Sequence, residues 1–192
     1  MLIDKKELNI NGLQYTIRSA IKTDAKNLVA LRYQIDGETE NLDRVQGEAF
    51  IDTAGFEKII EADTENQSSI FLVAVAQNQL VGFARCEGFQ LKRFSHKTEF
   101  GVAILKAFWG YGIGKHFLIE SISWAEENNI QKIVLNVLET NKKAIKLYQK
   151  HGFEIEGLLK KDKMLSDGKY YNTIVMGRFT NNQNQVNNGN AL

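Results

Sequence analysis

Residues 106–118 read KAFWGYGIGKHFL. Glycines 110, 112 and 114 stand between a strand-like run, TEFGVAIL at 98–105, and an apolar stripe at helical spacing, Phe117, Leu118, Ile122 and Ala125. A chain with no proline concentrates its backbone freedom at this junction. A helix beginning here leaves its first amide hydrogens without carbonyl partners, and the aligned peptide dipoles add positive potential there. Glycines remove the side chains that would keep an anion away, so the junction suits a phosphate.

Upstream, ELNI and LQYTIR at 7–18 flank Asn11-Gly12, a pair that tolerates positive φ, and predict an opening hairpin. Thr23 or Asp24 can cap AKNLVALRYQI, where Leu28, Leu31, Arg32 and Ile35 recur at helical spacing, which predicts a helix over 24–35. The polar, acidic, glycine-interrupted stretch 36–49 reads as a loop, followed by a short helix at about 53–62. IFLVAVA at 70–76 and LVGFARCEGF at 80–89 read as strands joined by a turn.

Downstream, the helix of the apolar stripe ends near Asn128-Asn129, and KIVLNVL at 132–138 reads as a buried strand. Asn141 caps KKAIKLYQKH, which stops at Gly152. Residues 153–165 and 169–179 form a closing hairpin around Ser166-Asp167-Gly168. The expectation is one α/β domain over 1–179 and a disordered polar tail over 180–192.

Lys plus Arg (24) nearly cancels Asp plus Glu (23), so the net charge of +1 points to neither nucleic acid nor an anionic membrane as partner. The longest apolar runs have strand length, well short of the roughly 20 residues of a membrane helix. MLIDKKELNINGLQ has no secretory pattern, and Cys86 is alone, so a cytoplasmic location is expected. His96, His116 and His151 share no ligand spacing, and no metal is expected.

Three readings of the glycine run compete. A P-loop needs Ser or Thr after the lysine, but His116 follows Lys115. A dinucleotide fold needs glycines spaced by one and two residues and an acidic residue ending the next strand, and both are missing. The third reading resembles the GNAT superfamily of acetyl-CoA-dependent N-acetyltransferases, whose loop runs Gln or Arg, two residues, Gly, one residue, Gly or Ala. Gly112 and Gly114 match, with Trp109 where Gln or Arg is usual. The segment 141–153, NKKAIKLYQKHGF, matches the superfamily's Asn, two, Ala, two, Leu-Tyr, three, Gly-Phe, and with IRSAIKTDA at 17–25 extends the likeness over most of residues 14–178.

The resemblance implies a mixed, largely antiparallel sheet flanked by helices, with its fourth and fifth strands splayed around the cofactor. It implies that Trp109, Gly110, Tyr111, Gly112, Ile113, Gly114 and Lys115 hold the diphosphate of acetyl-CoA, chiefly by backbone amides. Ile104 and Leu105 would pair with the pantetheine arm, Asn141 would touch that arm, and the Tyr148 hydroxyl would sit by the sulfur as proton donor.

Direct attack by an amine in a ternary complex needs a base or a water chain, since freeing an alkyl amine at pH 7 costs roughly 4 kcal/mol. Glu99, opening the strand that enters the gap, is the first candidate for the base. Glu38 and Glu48 in the acidic loop are the reserve, and would wall the pocket of a primary amine, either a small molecule or a protein N-terminus. The acidity of that loop leans toward a cationic acceptor. The competing reading is a catalytically silent coenzyme A sensor or interaction module. Edge strands of the closing hairpin offer a homodimer contact.

Overall fold

The computed structural model describes residues 2–180. The chain opens with β1 (Lys6–Ile10) and β2 (Leu13–Ser19), and Asn11 (φ 51°) and Gly12 (φ 82°) both take the left-handed geometry of a tight hairpin turn. After α1 (Ala25–Glu38) and α2 (Thr53–Glu65) come β3 (Ile70–Ala76), β4 (Gln79–Gly88) and β5 (Lys97–Ile104). Then follow α3 (Ile113–Glu127), β6 (Lys132–Leu138), α4 (Lys142–Lys150), β7 (Glu154–Met164) and β8 (Tyr170–Phe179). The strands form one sheet in the order β1-β2-β3-β4-β5-β6-β8-β7, largely antiparallel and flanked by helices, as expected.

Several boundaries differ from the sequence reading by a few residues, α2 running on to Glu65, and two of the differences have a visible cause. Helix α1 continues through Gly37 to Glu38, because the Asp36 carboxylate, set inward, is held by Arg44 at 3.2 Å and Arg32 at 3.7 Å. A Cβ on Gly37 would meet the Gln46 side chain at 2.6 Å, so the glycine marks close loop packing rather than a helix stop. At the other end Thr180 belongs to the domain. It is buried, its amide donates to the Gln131 carbonyl and its hydroxyl to that of Ile130. The rest of the expected tail, 181–192, lies outside the described residues.

Helices α1 and α2 cover one face of the sheet. Phe56 of α2 meets Phe71 (centroids 6.4 Å), which meets Phe83 (6.0 Å), and Arg85 of β4 forks onto Asp63 of α2 at 2.6 and 2.9 Å. Gly101 pairs with Arg85 and Glu99 with Glu87, so Glu99 and Gly101 share this face. Phe100 points to the opposite face, where Tyr148 of α4 stands edge-on to it (6.3 Å). Phe117, Leu118 and Trp124 of α3 complete the core with Leu72, Val73 and Ile133 of the sheet.

The one parallel pairing is the feature that makes room for a ligand. Strands β5 and β6 register at Lys97↔Lys132, Thr98↔Ile133 and Glu99↔Val134, and no further. Beyond that, β5 stays paired with β4 up to Gly82↔Ile104, and β6 with β8 up to Leu138↔Thr173. Each strand follows its antiparallel neighbour, and the sheet splits between them. This is the splay that the resemblance implies, counted here as the fifth and sixth strands because a whole hairpin precedes β3.

The Asp63 carboxylate is 4% exposed and its partner 28%, so Asp63→Ala strands a half-buried guanidinium that keeps only Glu87. The expected loss is about 2 kcal/mol, below the usual cost of breaking a fully buried pair, read as a lower urea midpoint at unchanged slope.

Candidate active site

The phosphate loop is built where β5 ends. A 3-10 turn over Lys106–Phe108 leads to Gly110 (φ 90°) and Gly112 (φ 75°), whose left-handed geometry swings the chain into α3. Among the described residues, the backbone amides from Gly110 through Lys115 donate to no acceptor, and the first to do so is His116, to Gly112. That row of free N–H groups at the start of a fifteen-residue helix has the geometry that suits an anion.

A brace from β2 fixes the loop. The Tyr15 hydroxyl lies 3.2 Å from the Tyr111 carbonyl and 2.7 Å from His116 Nδ1, which is 3.0 Å from the Gly112 carbonyl. A carbonyl only accepts. A proton on Nδ1 therefore serves Gly112 and Tyr15, and leaves the Tyr15 O–H for Tyr111. Burial pushes the Tyr15 phenol up to about 12, which keeps that donor in place across the physiological range.

Below the loop runs the open edge of β5. The Leu105 amide donates to Val81 of β4 (3.0 Å), so strand alternation turns the backbone groups of Phe100, Val102 and Ile104 toward the gap. At the mouth of the gap is a cleft of about 460 Å³. It is walled by Asp36, Glu38 and Thr39 at the end of α1, by Lys106 and Trp109, and by Leu138 and Thr140.

Two ionisable groups lie at β5 on opposite faces of the sheet. Tyr148 is 7% exposed, wedged between Phe100 and Phe153 (5.8 Å), and burial pushes its phenol up to about 12. Its hydroxyl has no partner among the described residues. Glu99 sits at the fork on the other face, its Oε1 accepting from Asn136 Nδ2 of β6 at 3.1 Å. Glu87, directly across on β4, is tied to Arg85 at 2.7 Å.

The acetyltransferase (GNAT) family model matches residues 37–153. The chain belongs to this family. It is 33% identical over 108 residues to the L-amino acid N-acetyltransferase AaaT of Escherichia coli, covering 56% of this chain and 66% of that one, just under two thirds. It is 30% identical over 114 residues to the ribosomal protein bS18-alanine N-acetyltransferase of Haemophilus influenzae, covering 59% and 75%. The solved GNAT-family acetyltransferase of Streptococcus pneumoniae superposes with TM-score 0.82 at 28% identity, over 86% of this chain and 98% of that one. With the family come acetyl-CoA as cosubstrate and acyl transfer as the class of reaction.

The GNAT fold brings some of the expected site residues together and keeps others apart. Gly110, Tyr111, Gly112, Ile113, Gly114 and Lys115 line up their amides, while the Ile113 side chain is in the core. Leu105 is turned away: it is buried and its amide is spent on Val81. The Trp109 indole folds back onto the Ile104 carbonyl at 2.9 Å instead of reaching over the loop. The Asn141 side chain caps α4, its Oδ1 accepting from Ala144 at 3.2 Å, which leaves only its NH2 for a ligand.

The acidic loop is largely spent on its own fold. Asp36 serves two arginines, Glu40 accepts from the Ser166 amide (2.8 Å), and Asp43 pairs with Lys163. Glu48 accepts from Val45 (3.1 Å) and lines a small recess with Tyr33 and Phe50, away from the cleft. Of the two reserve carboxylates only Glu38 reaches the cleft. Glu99 does not line it and stands at the closed end of the gap, roughly 17 Å of strand from Ile104.

Cys86 is fully buried and its thiol is pushed up to about 12 by burial, so it is no nucleophile. Among the described residues no group of three or more His, Cys, Asp or Glu is placed to hold a metal, and no helix is long and apolar enough to cross a membrane.

Sequence reasoning missed Asn136, Tyr15 and the role of His116. The signal for Asn136 was present, as a lone polar residue inside KIVLNVL. Gly112→Ala is expected to cost about 1–2 kcal/mol of stability through its left-handed φ and to weaken acetyl-CoA binding at least tenfold by calorimetry. Gly157→Ala, with open space around the new Cβ and no positive φ, leaves that binding unchanged.

Proposed function

We propose that the chain transfers the acetyl group of acetyl-CoA to a primary amine, the α-amino group of an amino acid or of a protein N-terminus, by direct attack in a ternary complex. The observation that carries this reading is the row of free amides from Gly110 to Lys115, just beyond the strand β5 whose edge is unpaired past Glu99, with Tyr148 packed on Phe100 of the same strand. The two relatives, named for L-amino acids and for an alanine of ribosomal protein bS18, support an α-amine as acceptor. Energetics point the same way. The α-amine of a protein N-terminus, of pKa about 8, gives up its proton at pH 7 for about 1 kcal/mol, against more than 4 for a lysine-type amine, which favours the N-terminus over a lysine side chain.

Acetyl-CoA supplies the activated acyl group when bound. The loop amides hold its diphosphate, and the gap edge of β5 aligns its arm. Tyr148 serves the sulfur from the α3 and α4 side. A phenol near 12 is a weaker acid than a thiol of about 8.5, and full proton transfer to the sulfur would be uphill by about 5 kcal/mol. Tyr148 therefore serves as a hydrogen-bond donor to the departing sulfur. Glu99, held by Asn136 on the other face and away from the cleft that Glu38 lines, takes the amine proton through a chain of water. A cytoplasmic site of action and a homodimer through the open edge of β7, where Ile155, Leu158 and Leu159 are exposed, complete the proposal.

Thiol release measured across amino acids, N-terminal peptides and polyamines tests the reaction. Release stimulated by an α-amine is expected, whereas tight acetyl-CoA binding with no stimulated release would favour the silent sensor. Tyr148→Phe is expected to lower kcat by about ten- to a hundredfold with acetyl-CoA affinity kept within about twofold. Glu99→Gln should lose the ascending limb of the pH–rate profile, and a retained limb would reject Glu99 as base.

Tyr148 also sets an alkaline limit. Its folded pKa is raised above the usual 10, so its stabilising contribution is complete below pH 10 and is lost as pH rises toward 12. Urea midpoints measured across that window should fall less steeply in Tyr148→Phe.

A further inference from the structure

Two backbone groups on the gap edge of β5 are already taken. The Ile104 carbonyl accepts from Trp109 Nε1 at 2.9 Å, and the Lys106 amide donates to Glu38 Oε2 at 2.6 Å. Both lie on the gap side, since the Leu105 amide between them turns to Val81. They are the groups that an extended, amide-bearing arm needs in order to join the edge as an added strand.

Neither side chain is locked in place. Trp109 is 46% exposed, and Glu38 is the last residue of α1, its other oxygen held by one hydrogen bond from Gln34 at 2.8 Å. Their hydrogen bonds satisfy edge groups that would otherwise be left facing a partly apolar gap. They do so with atoms standing where the arm would lie.

We infer that Trp109 and Glu38 are placeholders for the arm of acetyl-CoA, displaced when it binds. The inference rests on the acetyl-CoA reading of the site. Displacement frees the Glu38 carboxylate inside the cleft, where Asp36 and Glu40 are already engaged. A carboxylate that leaves a backbone amide becomes the counter-charge for an incoming ammonium. The acceptor pocket is thus complete only after acetyl-CoA is seated, which makes binding ordered.

The chain has two tryptophans, and Trp124 is 1% exposed in the core, so a change in indole emission on ligand binding reports Trp109. Acetyl-CoA is titrated into the full chain by calorimetry and by fluorescence in parallel. The expected result is an emission change that saturates with the heat and is absent in Trp109→Phe. Trp109→Phe and Glu38→Gln should each bind acetyl-CoA about two- to tenfold more tightly, because a competing hydrogen bond has been removed or weakened.

Heat without an emission change, or unchanged or weaker binding in Trp109→Phe, overturns the inference and leaves the acetyl-CoA site standing. Weaker binding in Glu38→Gln would make Glu38 a ligand of the cofactor and overturns it as well. No heat at all overturns the acetyl-CoA reading itself.

Discussion

The parallel pairing of β5 with β6 stops at Glu99 and Val134, and everything functional is arranged around that stop. A continued ladder would satisfy the edge of β5 internally and close the sheet. Instead the antiparallel ladders on either side, β4 with β5 and β6 with β8, hold each strand on its own course. Right-handed twist then separates two strands that have lost their mutual bonds. The result is a sheet that stays continuous at one end and offers an unpaired edge at the other.

The unpaired edge of β5 and the free amides from Gly110 to Lys115 leave polar groups without protein partners, and the surrounding structure offsets that cost locally. Left-handed turns at Gly110 and Gly112 are held by hydroxyl and imidazole bonds from Tyr15 and His116. The buried phenol of Tyr148 is packed between Phe100 and Phe153 without a hydrogen bond among the described residues. These are places where local satisfaction is incomplete, and they lie on the loop that follows β5 and on α4 packed beside that strand.

Much of this architecture was readable from sequence because it is local. Asn11-Gly12 forms its turn through its own φ values, Asn141 caps α4 through its own side chain, and alternation along TEFGVAIL sets Glu99 apart from Phe100. The parts that were not readable depend on partners distant in the chain. Glu38 meets Lys106, Asp36 meets Arg44, and Trp109 turns back on Ile104. An acidic stretch therefore looked like a cation trap in sequence and is mostly a set of internal ties in the fold. The break between β5 and β6 was expected from resemblance alone, since no residue in either strand announces where pairing ends.

The hydroxyl of Tyr15 reaches a carbonyl contributed 96 positions later, at Tyr111. A nascent chain emerging from the ribosome holds the first half of this clasp long before the second exists. The turn before α3 is therefore braced only when the opening hairpin and the glycine loop are both in place, so damage to the first strand pair is felt at the far end of β5.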